Sequence, residues 1–430
     1  MRPSAYCSSL LPLPTRFILP MSRRTAFVFL AVALTLVACQ PAADGPRPGV
    51  IVGDTVGVPS LAIEGLPDDL PVWTVDPLPI FSVRGDGPPF LSDVGEVEVL
   101  SDGRLVVEDN QSAELWLFDP SAAPVRLAAR GDGPGEIRNV QSLRVGAADS
   151  IFVFDRRHAR MTILGPAGRV AEVIDLPRGA EGDGALLVSA WPFGDMILLH
   201  SIRFSDPGDL SEGMRLGSQE SIIRLADRSG RPSDRAEHFR AGLALINQRF
   251  DGRTPFAADP AVVVRGDRIV HARGPDYRLE VRDPDLALTR SIDWPGLRRP
   301  LGTDEVSRVR VEAEQRFANA GRASPERVRA LLDQLFAPDV VPDELPALGT
   351  VEVDRTGAIW VQRFRMGSEE WDQNDAWHVL DPSGRPLARV ELTSDTRLAA
   401  IQDNHVVLVH RDELEVQHIG VHTLQRSPPR

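Results

Sequence analysis

Six tight turns recur along this chain, each flanked on both sides by alternating apolar residues. They are Asp102-Gly103, Ala148-Asp149, Gly194-Asp195, Gly266-Asp267, Thr356-Gly357 and Asp403-Asn404. Val99, Val145, Trp191, Val263, Val353 and Ala400 precede them. Leu105, Ile151, Ile197, Ile269, Ile359 and Val406 follow, each with a partner two residues further on. Alternating runs around a Gly, Asp or Asn turn specify a β-hairpin, because those residues accept the backbone angles of a tight reversal. A hairpin cannot bury its apolar faces alone, so repeated copies must stack on one another. The expected fold is therefore all-β, a six-bladed β-propeller.

A second repeat fixes the frame. Arg84-Gly85-Asp86-Gly87-Pro88 returns as Arg130-Gly131-Asp132-Gly133-Pro134, 46 residues on, and the same offset places Asp109 on Asp155. Turn signals such as Asp119-Pro120, Gly165-Pro166 and Asp381-Pro382 lead into a further strand. Each repeat thus reads as four antiparallel strands, A innermost to D outermost. The Arg-Gly-Asp copies read as glycine-rich blade linkers rather than adhesion signals. One segment leaves the β pattern. From Thr303, Val306, Val309, Ala313 and Phe317 follow helical spacing, and Ser324-Pro325 supplies the cap and first position of a second helix. These predict a helical insertion over 301–346, between blades 4 and 5. An open ring would leave an unpaired edge. Residues 72–83 are therefore expected to close the last blade against 413–425, so that the propeller spans 72–425, and truncation near residue 70 is expected to be harmless.

Charge and cysteine usage narrow the compartment. The net charge is −13, and the 48 basic residues are all arginine. That excess of acid argues against a nucleic-acid partner, whose phosphates need a basic surface. Arg23-Arg24 precedes an apolar run over Ala26–Val37, of signal-peptide length and too short to span a bilayer. Leu36-Val37-Ala38-Cys39 resembles the lipobox of bacterial lipoproteins, which implies cleavage before Cys39 and acylation of its thiol. On this reading 1–38 is a signal peptide whose true start is Met21, and 39–71 is a flexible, Pro- and Gly-rich tether. The chain is then anchored by lipid in the cell envelope, with the outer membrane favoured, facing the periplasm or the surface. Besides Cys39 only Cys7 is present, so no intramolecular disulfide or thiolate metal site is expected in the mature protein.

Arg130 to Ile137, together with Leu115-Trp116-Leu117-Phe118-Asp119, resembles bacterial six-bladed propeller lipoproteins related to NHL-repeat and TolB-like propellers. The resemblance covers about 72–425. Its motifs are structural, so it implies a fold and leaves the activity open.

The A–B and C–D turns are short, whereas the long excursions near 201–221, 237–258, 301–346 and 363–376 all belong to B–C loops or D–A links. Binding residues concentrate on loops carried by a rigid scaffold, so the loop-rich side is the expected working face, with 301–346 as a partial lid. Asp109, Asp155, Ser201, Arg273, Arg363 and His410 end the B strands and should approach it, where a polar or anionic ligand would meet them. Trp371 and Trp377 are candidate platforms for a sugar or peptide. His418 and His422 lie about 13 Å apart along a strand, too far to share an ion, and no metal or other cofactor is expected. The reading is a monomeric, membrane-anchored binding propeller for an unidentified protein, peptide or carbohydrate. The alternative is a metal-dependent lactonase- or lyase-like enzyme on the same scaffold, suggested by its resemblance to such six-bladed propellers.

Overall fold

The computed structural model describes residues 50–55, 57–179, 184–204, 215–247, 250–256, 261–273, 276–319, 324–364, 376–392 and 396–426. The signal segment, Cys39 and Trp371 lie outside them.

The apolar alternation produces up-and-down meanders. Val94–Val99, Leu105–Asp109, Glu114–Asp119 and Ala122–Ala128 pair successively and antiparallel. Four strands over Val140–Asp175 repeat the pattern, followed by four over Leu186–Asn247 and four over Ala261–Asp293. Leu348–Glu391 carries another four, and Thr396–Gln425 three more. Inner strands are apolar on both faces, as Leu105, Val106 and Val107 show at 0% exposure, because each sheet packs between two others. The first strands of the first five meanders touch in succession, Trp360 and Val379 of the fifth pack with Leu398 and Ile401 of the sixth, and Thr396–Gln402 returns to Val94–Val99. The fold is an all-β propeller.

The N-terminal segment is a belt around this ring. Strands β1 (Val50–Thr55) and β2 (Val58–Ile63) form a hairpin, and β2 adds in parallel to the outer strand Leu288–Asp293. Leu61 and Ile63 are buried with Trp294 and Leu297. Next, β3 (Val72–Val75) adds in parallel to Pro386–Glu391 and antiparallel to Gln417–Gln425. Strand β4 (Phe81–Val83) then pairs with Ile419–Val421, the contact expected of 72–83. Its exit is tight, since a Cβ at Gly85 would lie 2.0 Å from the Gln417 carbonyl oxygen.

Two expectations are corrected here. The flexible tether over 39–71 does not extend through 50–63, because Leu61 and Ile63 alternate inward and find an apolar rim. Separate blades throughout are not what forms. Four sheets hold one complete meander each, while the last two runs share one sheet through β3.

Of the excursions near 201–221 and 237–258, residues 201–204, 215–221, 237–247 and 250–253 are strand, and residues 205–214 lie outside the described residues. Met196–Phe204, Arg215–Ala226 and Pro232–Asn247 extend the third meander into a ribbon, capped by Phe250–Arg253. Between Asp293 and Leu348 stand helices α1 (Thr303–Asn319) and α2 (Pro325–Leu335). The Ser324 hydroxyl accepts from the Arg327 amide and Pro325 takes the first turn, the capping chemistry read in the sequence. Val309 packs with Phe256 and Leu345 on the loop-rich side, with Phe336 and Phe364 against them. Among the described residues no helix is long and apolar enough to cross a membrane.

Candidate functional site

The B-strand ends do not form one site. Asp155 is 1% exposed, and its carboxylate accepts the amides of Arg138 at 2.8 Å and Arg157 at 2.9 Å. It also holds His158 Nδ1 at 2.6 Å, while His158 Nε2 meets Asp132 at 2.8 Å. Arg138 bonds Asp132 through Nε and Nη2, and these bonds, with that of His158, hold the Asp132 carboxyl well below its ordinary pKa. The second Arg-Gly-Asp-Gly-Pro copy is thus riveted to the meander it enters. Asp109, also buried, accepts the Asp93 amide at 2.9 Å. Both carboxylates are staples that hold backbone amides, and Asp155 the His158 ring as well, which corrects the expectation that they face a ligand. Buried acids survive by finding such donors.

The other candidates stay in their own meanders. Arg273 bonds Asp276 at 2.5 Å and Glu280 at 3.0 Å. Arg363 ends its strand exposed. The His410 ring lies 5.1 Å from that of His418; burial first, then His418 and His422, lowers its pKa. His418 bonds Asp412 at 3.0 Å, so its Nδ1 accepts the Gly85 amide. Trp377 is no platform. It is 2% exposed on the strand Ala376–Leu380, in a core with Trp73 and Trp360, because strand alternation turns it inward.

Charge crosses the channel instead. Glu98, whose side chain is 4% exposed, lies 3.4 Å from Arg144 Nη1 and 3.3 Å from Arg265 Nη1. These residues belong to the first, second and fourth meanders, so one carboxylate ties three walls together. Glu96 reaches Arg144 at 3.4 Å; burial raises the pKa of Glu96 and of Glu352 against the pull of that guanidinium. Burial opposes the Arg144 charge, but Glu98, Glu96 and Glu352 outweigh it. Behind this wall Glu108 is pushed up to about 8, chiefly by burial.

A cavity of about 460 Å³ opens at the tight-turn mouth of the channel. Turns of the first, second, fourth and fifth meanders line it, with Ser101, Asp149, Arg265, Asp267, Arg268 and Arg355 among their side chains. Ser101 donates its amide and hydroxyl to Asp149, at 2.8 and 2.7 Å, and these bonds lower the Asp149 pKa. Arg268 Nη1 reaches the Pro382 carbonyl at 3.1 Å, and Arg355 Nη2 the Val99 carbonyl at 3.0 Å. This mouth is opposite the face that the long loops suggest. The signal for it was an arginine on either side of Gly266-Asp267 and another beside Thr356-Gly357, in turns whose role as punctuation masked their side chains.

No family model and no curated protein matches the chain. Solved structures with a similar fold exist at low identity. A protein of Bacteroides fragilis described as exported shares 11% identity over 83% of this chain and 99% of its own, with a TM-score of 0.43. A member of the DUF4221 family from Bacteroides vulgatus shares 10% over 82% and 99%, at 0.45. Virginiamycin B lyase from Staphylococcus aureus shares 10% over 80% and 98%, at 0.38.

Proposed function

We propose that this chain is an extracytoplasmic binding propeller, anchored through a lipid on Cys39, that takes a small polar ligand at the tight-turn mouth of its channel. The propeller counts as six blades when β4 is taken as the fourth strand of the run 396–425. The observation that carries the binding reading is the 460 Å³ cavity, a volume within the usual range for small-molecule sites. Its polar groups converge from four separate turns on a rigid ring, which is how a preformed site is built. The loop-rich face keeps its buried acids and histidines in structural bonds and remains a surface for a larger partner.

The lactonase- or lyase-like alternative needs ligands converging on one ion. Among the described residues no three His, Cys, Asp or Glu side chains do so. Metal content and turnover of a lactone and ester panel separate the two readings. The binding reading is tested by a thermal-shift screen of polar metabolites on the soluble chain and on Asp267→Trp, which would crowd the mouth from an exposed turn tip. Ligands that stabilise the parent and lose their effect on this variant support the site; ligands indifferent to it place binding elsewhere.

A further inference from the structure

The cavity holds a surplus of hydrogen-bond donors. Arg268 uses Nη1 alone, on the carbonyl oxygens of Gly357 and Pro382. Arg355 uses only Nη2, on the Val99 carbonyl. Arg265 spends Nη1 on Glu98 and Nε on the Val353 carbonyl, leaving Nη2. Among the described residues no carboxylate lies within ion-pair distance of Arg268 or Arg355, and both side chains line the opening. Of the lining carboxylates, Asp267 stands at an exposed turn tip, and the other two are committed to bonds within the fold. Each Asp149 oxygen takes a bond from Ser101. Asp354 is 1% exposed and accepts from Thr356, Ala358 and Trp360. A guanidinium carries five N–H donors in a plane that suits a two-oxygen anion, so the unmet need at this mouth is for oxygen acceptors bearing negative charge.

We infer that the ligand is a small oxyanion, a compound carrying a carboxylate or phosphate group held between Arg268 and Arg355 with Arg265 beneath. The inference rests on the cavity being the binding site and adds the ligand's chemical class. Carboxylate and phosphate share this chemistry, and separate probes distinguish them.

The experiment is calorimetric titration of the soluble chain with inorganic phosphate and with malonate, against sodium chloride at matched ionic strength. Saturable binding of either probe is expected. Arg268→Gln with Arg355→Gln should weaken it about ten-fold or more, the scale of lost charge-assisted hydrogen bonds. Arg268→Lys with Arg355→Lys should recover part of the loss, and Arg126→Gln on the outer rim should change nothing. Retained melting of each variant establishes that it folds. If neither probe binds beyond the chloride control, or the glutamine pair binds as the parent does, the inference is overturned. If a neutral ligand from the screen is instead blocked by Asp267→Trp, the ligand class is wrong while the site stands.

Discussion

At the residue scale the channel shows how a propeller carries charge in its interior. Glu98 is buried between Arg144 and Arg265, so neither guanidinium need face a dry wall alone. Removing one member of a buried ionic network strands the others, at a cost of about 3–5 kcal/mol. Glu98→Ala should lose stability on that scale in denaturant unfolding and Glu98→Gln less, since the amide keeps an acceptor. Equal stability of all three proteins would show that the bridge contributes nothing. Glu108 gives a test in pH. Burial raises its folded pKa to about 8, above the unfolded value near 4.3. Its contribution is fully present below the unfolded pKa, where both states are protonated. It is lost as pH rises towards 8, because the unfolded chain releases the proton first. Glu108→Gln should therefore gain stability relative to the parent between about pH 4.5 and 8 and show no further change above. His200, lowered to about 4 by burial, works oppositely. Its neutral form suits the fold, so its contribution fades as pH falls from about 6.5 towards 4.

At the element scale the belt matters most. Leu61 and Ile63 are 2% and 0% exposed, and burying such side chains contributes roughly 1.5–3 kcal/mol each. Truncation before residue 70 should thus destabilise the protein by several kcal/mol, contrary to the expectation from composition, whereas a chain beginning at residue 49 should melt like the parent. Beginning at residue 90 removes β4 as well and bares the edge of Gln417–Gln425, which should aggregate. Calorimetric scans of the three truncations check this order. The contrast shows what sequence could carry. Tight turns and the Ser324-Pro325 cap were legible because local geometry demands particular residues there. The hairpin β1–β2 was not, because its stability comes from a distant outer strand and its neighbours are proline and glycine. Trp377 was misplaced because the length of a loop says nothing about where the next strand begins. The acids at the B-strand ends stand where the repeat put them along the chain, but each is also occupied by an amide from a link 16 or 17 residues away.

At the scale of the whole molecule, the belt fixes which end of the ring the chain enters from, and so which face a lipid on Cys39 would bring to a membrane. Strand Leu288–Asp293 runs towards the loop-rich face, since it leads into the link carrying α1. With β2 parallel to it and β1 antiparallel to β2, Val50 stands beside Ile63 at the loop-rich end. Only residues 40–49 separate Cys39 from Val50. Ten residues reach at most about 35 Å extended and about 17 Å on average when flexible. A lipid on Cys39 should then hold the loop-rich rim near Glu64 close to the bilayer and leave the cavity mouth on the aqueous side. Mass spectrometry of the mature N-terminus first establishes the lipid; an unmodified Cys39 removes the anchor. With the lipid in place, a fluorophore on Glu64→Cys in vesicles should be quenched by bilayer-borne quenchers more than one on Asp267→Cys. A long flexible insert after Pro48 should erase the difference, because only the short span imposes it. Equal quenching at both positions in the uninserted protein would mean that the propeller tumbles freely on its anchor and that neither mouth is held away from the membrane.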